Sequence, residues 1–146
     1  MIVQPKPGVQ LSGAAPVAGE ELAPFTRETG FAAWNRYAAV NDEFIPIHMD
    51  DEAGRAAGYP SAFGMGNLQW SYLHNVIRDW LGDRGRIVRL SCQFRGPNLK
   101  GQTVTARGVV DSLSEVDGVL TAELTVWTED ENGVKLAPGK ATVAFG

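Results

Sequence analysis

Residues 66–80 read GNLQWSYLHNVIRDW and residues 88–95 read VRLSCQFR, and the fold turns on the change of period between them. In the first stretch Trp70, Leu73, Ile77 and Trp80 recur at three- and four-residue spacing, and Leu68, Tyr72 and Val76 widen the apolar surface well beyond a narrow stripe. Asn67, Ser71, His74 and Arg78 form the polar row. This is the pattern of a helix buried on most of its sides. In the second stretch Val88, Leu90, Cys92 and Phe94 alternate with Arg89, Ser91, Gln93 and Arg95, the period of a strand. Gly82 to Gly85 separates the two.

Downstream the period stays at two. Gly96-Pro97-Asn98 breaks the first strand, and Val104 to Leu113 forms the next. A turn at Asp117-Gly118 leads to Val119–Trp127, and Asn132-Gly133 is a hairpin signal before Val134–Phe145, where Pro138-Gly139 predicts a bulge or break. Strands joined by short turns predict an antiparallel meander. One buried helix ahead of such a meander is an α+β arrangement, with the sheet able to curl around the helix.

Upstream, Glu20 to Phe25 suggests a short extended piece, and Phe31, Trp34, Tyr37 and Ala38 mark a one-faced helix after Thr26. Asp50 or Asp51 can cap a short helix through Ala57, which Gly58 stops. Residues 1–18 are expected to form an irregular arm, rich in glycine and proline, ahead of a single domain over residues 19–146.

The chain of 146 residues carries 13 basic and 17 acidic side chains, with 44% hydrophobic residues. No basic stripe offers phosphates a footprint, so neither nucleic acid nor a membrane surface is expected as a partner. No run of about 18 apolar residues would span a bilayer. Cys92 is the single cysteine, which excludes an intrachain disulfide and thiolate metal sites and suits a reducing cytoplasm. It falls on the apolar side of its strand and reads as a small core residue. Two distant histidines, His48 and His74, do not make a metal site.

The stretch with chemical content is YAAVNDEFIPIHMDDEAGRAAGYPSAFGMG, residues 37–66. Asp42 and Glu43 stand shortly before His48 on a loop containing Pro46. A carboxylate and an imidazole that share one water can move its protons, which is acid–base catalysis of hydration or dehydration. Gly66 opens the long helix. A backbone N–H there, with no side chain in the way, suits a carbonyl oxygen that gains negative charge. The bland readings are a hydrogen bond from His48 to a backbone carbonyl, solvated charges at Asp42 and Glu43, and close packing at Gly66.

This stretch resembles the MaoC-like hydratase/dehydratase family, which includes R-specific enoyl-CoA hydratases. The family pattern is an aspartate, an asparagine two residues on, then proline, an aliphatic residue and histidine. Ile45-Pro46-Ile47-His48-Met49-Asp50 fits its latter part. Aligned without gaps, His48 takes the histidine, Gly58 ends the short helix, Gly66 takes the glycine that faces the thioester carbonyl, and Trp80 takes a frequent tryptophan. A gapped alignment would give that role to Gly64. Three positions depart: Glu43 stands at the aspartate, Ile45 at the asparagine, and Met65 at the histidine preceding the helix glycine.

The resemblance implies a hot-dog fold, an antiparallel sheet wrapped around one long central helix. It implies an enzyme adding or removing water at the α,β position of an acyl thioester. His48, Glu43 and Gly66 would be catalytic, with Ile45, Phe63, Met65 and Asn67 toward the substrate. No metal or redox cofactor is implied, because the thioester supplies the electron sink, and the CoA or carrier-protein arm is part of the substrate. A homodimer, or a heteromer with another MaoC-like chain, is expected. The departures resemble divergent MaoC-like subunits that work as unlike pairs, so an auxiliary subunit is a competing expectation. A hot-dog thioesterase is another.

Overall fold

The computed structural model describes residues 13–146. Most of the expected arm, residues 1–12, lies outside the described residues, and residues 13–18 form no helix or strand. The elements are β1 (Phe25–Glu28), α1 (Phe31–Asn41), a 3-10 turn (Pro46–His48), α2 (Asp51–Ala56), α3 (Gly66–Leu81), β2 (Gly85–Cys92), β3 (Thr103–Val116), β4 (Val119–Glu129) and β5 (Lys135–Phe145). The strands form one antiparallel sheet in the order β1-β3-β4-β5-β2. The sheet curls around α3, which packs on β1, β2, β3 and β4, giving the α+β hot-dog fold.

Helix α3 buries Gln69, Tyr72, Leu73, Val76, Ile77 and Leu81. They meet Val104, Ala106 and Val110 of β3, Leu124 and Val126 of β4, and Val143 and Phe145 of β5 in the main core. Burying each large aliphatic side chain is worth roughly 1.5–3 kcal/mol, so this face rather than helix propensity holds α3 in place. The expected apolar row is rotated: Trp70 is 40% exposed and rests on His74, with ring centroids 5.3 Å apart. A second cluster of Trp34, Ala38, Ala62 and Met65 fastens α1 to the loop before α3.

Three expectations are corrected by the sheet. The meander covers β3, β4 and β5 only; β2 crosses to the far edge and pairs with β5. Residues 93–102 make that crossing, and pairing partners are not encoded in local period. Second, a bulge between Ile87 and Arg89 turns Val88 outward, 51% exposed, while Ile87, Leu90 and Cys92 face the core. Third, β5 runs unbroken through Pro138-Gly139, and its irregularity lies just before them, between Lys135 and Ala137 opposite Thr128/Glu129. Gly139 is needed there because a Cβ would stand 2.4 Å from the Ser91 carbonyl oxygen of the neighbouring strand. At the start of the chain, Thr26 belongs to β1 and α1 begins five residues later, at Phe31.

The turns follow sequence chemistry closely. Asp117 and Gly118 take φ of 51° and 81° between β3 and β4, as a two-residue hairpin turn requires. The Asp50 carboxylate accepts from the Ala53 N–H at 2.9 Å and caps α2.

Candidate active site

The 3-10 turn, the loop Tyr59–Met65, the start of α3 and the segment after β2 converge on one cavity of about 210 Å³. Its wall is made by His48, Phe63, Gly66, Gln69, Phe94 and Arg95, with Tyr59 and the backbone of Gly64 and Gly96-Pro97 completing it. His48 is 6% exposed. Its Nδ1 lies 2.7 Å from the Phe63 carbonyl oxygen, and the Phe63 ring meets the imidazole edge-on at 5.5 Å. A carbonyl only accepts, so Nδ1 carries the proton and Nε2 of the neutral ring keeps its lone pair. No group of the described chain claims Nε2.

The loop that presents the Phe63 carbonyl is tightly held. Asp51 accepts from the Ala62 N–H at 3.1 Å and pairs with Lys100 at 2.5 Å. The Lys100 ammonium, then the Ala62 amide, hold the Asp51 carboxyl below its ordinary range. Gly54 of α2 lies against this loop so closely that a Cβ would stand 2.0 Å from the Ser61 carbonyl oxygen. The Gly64 N–H donates to the Asn98 carbonyl at 2.7 Å, and a Cβ at Gly64 would lie 2.8 Å from Trp34 Nε1.

The two glycines therefore differ. The Gly64 amide is spent on Asn98, whereas the Gly66 N–H, first of α3, has no acceptor in the described chain. A Cβ on Gly66 would meet the Phe94 ring at 2.8 Å, within the cavity wall. An unclaimed N–H at the positive end of a sixteen-residue helix is a donor for an oxygen bearing negative charge.

All but one of the remaining expected site residues fall elsewhere. Phe63 lines the cavity. Met65 is fully buried in the second core cluster, Ile45 is 42% exposed, and Asn67 faces outward; none of them lines the cavity. Glu43 also stands outside it. Helix α1 ends at Asp42 in a left-handed conformation (φ 52°), and Glu43 then accepts from the Asn41 side-chain amide at 3.1 Å. It lies near Tyr37, whose hydroxyl is held above its ordinary range first by burial; Ser71 opposes and the Glu43 charge adds to the rise. No carboxylate lines the cavity.

Besides Tyr59, Phe94 and Arg95, the sequence reading missed the wall residue Gln69. It is 2% exposed; its Oε1 accepts from the Thr128 hydroxyl at 2.6 Å, and its Nε2 reaches the Gly96 carbonyl at 3.5 Å. A signal was present: residues 69, 72, 73 and 76 have the i, i+3, i+4, i+7 spacing of a buried face.

Residues 14–132 match the family model described as the MaoC like domain. The chain belongs to the MaoC-like domain family. It is 25% identical over 124 residues to an (R)-specific enoyl-CoA hydratase of Aeromonas caviae, spanning 84% of this chain and 91% of the relative. The solved structure of the (R)-hydratase from A. caviae involved in PHA biosynthesis superposes with a TM-score of 0.80 at 22% identity, covering 92% of this chain and all of that one. The ChsH1-ChsH2 complex from Mycobacterium tuberculosis gives a TM-score of 0.80 at 17% identity, over 90% of this chain and all of the matched chain. Among the described residues no helix is long and apolar enough to cross a membrane, and no group of acidic, histidine or cysteine side chains is placed to hold a metal ion.

Proposed function

We propose that this MaoC-like chain is a hydro-lyase that adds water across, or removes it from, the α,β position of an acyl thioester. One observation carries the reading: a histidine with a bare Nε2 and a helix-opening amide without an acceptor share one cavity. His48 takes a proton from water as the hydroxyl bonds to the β-carbon. The electrons of the C=C bond move through the thioester onto its oxygen, which the Gly66 N–H stabilises. The α-carbon then takes a proton from a carboxylic acid, which regains one from the His48 imidazolium, and the thioester carbonyl is restored. A carboxylate completes the proton transfers. Glu43 fills that role if it turns from Asn41 toward the cavity. The thioester is its own electron sink, so no metal or redox cofactor enters the reaction, and the CoA or carrier-protein arm is part of the substrate.

The absence of any carboxylate from the cavity wall favours a second reading, in which a MaoC-like partner chain completes the site. The matched ChsH1-ChsH2 structure is a complex of two named chains. Edge strand β2 leaves Val88 51% exposed, and Phe94 and Trp70 are also exposed, apolar side chains that a second chain would cover. A dimer, with itself or with such a partner, fits this surface. The lone, part-buried Cys92 suits a reducing cytoplasm.

The test is incubation with enoyl-CoA thioesters in ¹⁸O-labelled water. The proposal expects one labelled oxygen in a 3-hydroxyacyl product and no free thiol. Thiol release without β-labelling would make the chain a thioesterase. No turnover alone, with turnover restored by co-expression with a MaoC-like partner, would make it an auxiliary subunit.

A further inference from the structure

We infer that the Gln69 side-chain amide is a second donor to the thioester oxygen, beside the Gly66 N–H, and that Thr128 holds it in position. This rests on the hydratase reading of the cavity.

An amide on the most buried face of α3 is costly, since Leu or Met would fill the same space without losing hydration. The cost is offset only where both ends of the amide are used. Oε1 is used: the fully buried Thr128 hydroxyl donates to it at 2.6 Å. That bond sets which way the amide faces, because a hydroxyl donating to Oε1 leaves Nε2 on the opposite side. Nε2 carries two N–H groups. One reaches toward the Gly96 carbonyl at 3.5 Å, the long limit of a hydrogen bond. Among the described residues there is no acceptor for the other.

Where the free N–H goes follows from helix geometry. Side chains on a helix lean toward its N-terminus and cover the preceding turn. Gln69 stands three residues after Gly66 on the same face, and both line the same cavity. The Thr128 bond also polarises the amide and makes its N–H groups better donors. With Arg95 in the wall and no carboxylate, the cavity's polar groups are weighted toward donors. Such a wall fits an acceptor that gains negative charge, as a thioester oxygen does on becoming an enolate.

The experiment compares wild type, Gln69→Leu and Thr128→Val in two measurements. The first is steady-state hydration of an enoyl-CoA that wild type turns over. Loss of one oxyanion donor lowers kcat by about 100-fold or more with KM little changed. Thr128→Val, which frees the amide to rotate, lowers kcat by about fivefold. The second is the infrared band of butyryl-CoA labelled with ¹³C at its carbonyl, a ligand that cannot react. Bound to wild type the band lies below its free position, and Gln69→Leu moves it part of the way back, which a merely structural role would not do. If Gln69→Leu does not fold, Gln69→Met, of similar length and without an N–H, replaces it. A wild type that hydrates enoyl-CoA and shifts the band, with Gln69 variants that behave the same, overturns this inference alone. A wild type that neither hydrates any enoyl thioester nor shifts the band overturns the hydratase reading first.

Discussion

The Nδ1 of His48 is held 2.7 Å from the carbonyl oxygen of Phe63, so the loop that orients the imidazole is the one that runs on into Gly66 and α3. Ring and amide are set by one short piece of backbone rather than by separate elements. The neutral ring must be protonated at Nδ1. Long-range ¹H–¹⁵N correlation of the His48 ring should show the Nδ1–H pattern. An Nε2–H pattern would mean that the nitrogen left for a substrate water already carries a proton.

The same loop depends on Gly54. Gly54→Ala would drive a methyl group into the Ser61 backbone, which neither partner can relieve by rotating a side chain. We expect a loss of about 2–4 kcal/mol in urea unfolding. A variant as stable as wild type would show that α2 and the Ser61 loop are not in contact as described.

Gly64→Ala and Gly66→Ala should separate packing from chemistry. At Gly64 the new Cβ meets buried Trp34 and Asn98, so the fold is expected to lose about 2 kcal/mol or more. At Gly66 it meets the ring of Phe94, which is 54% exposed and free to turn. Stability should therefore stay within about 1 kcal/mol of wild type, while hydration falls about tenfold or more because the methyl group crowds the amide. Thermal unfolding and steady-state rates on both variants test this. Equal activity in Gly66→Ala and wild type would remove the amide from the site.

His74 gives a pH dependence with a definite sign. Burial first, and then the Arg78 charge, hold its pKa below the ordinary histidine value; the Trp70 ring meets the imidazole edge-on. The folded chain thus binds a proton less readily than the unfolded chain. His74 therefore supports stability above about pH 6.5 and withdraws that support as pH falls below that value through the lower folded-state pKa. Melting temperatures at about pH 7 and pH 5 should differ less in His74→Gln than in wild type. An unchanged difference would contradict the assignment.

Much of this was legible in the sequence. The period change after Trp80, the aspartate cap of α2, and the Asp117-Gly118 and Asn132-Gly133 turns are local signals, and each element formed where its signal lay. What was not legible is non-local. The crossing of β2 to β5 depends on which edge the curled sheet leaves open, and the Val88 bulge on how β2 fits around α3. Within the site, the His48-to-Gly66 segment holds its own geometry through short-range bonds, so its motif could be read directly. Glu43 could not be placed this way, because the left-handed turn at Asp42 sets where the chain leaves α1. Gln69 was hidden because a glutamine on a helix is by default expected to face water. Its burial depends on Thr128, 59 residues away.

The most direct measurement is the hydration rate of a panel of enoyl-CoA thioesters by wild type and His48→Ala, followed as loss of the conjugated enoyl absorbance. Wild type should hydrate at least one member of the panel, and His48→Ala should lower that rate by a factor of about 10²–10⁴ without altering the fold. Equal rates for the two proteins would contradict the role given to the imidazole and, with it, the chemistry assigned to the cavity.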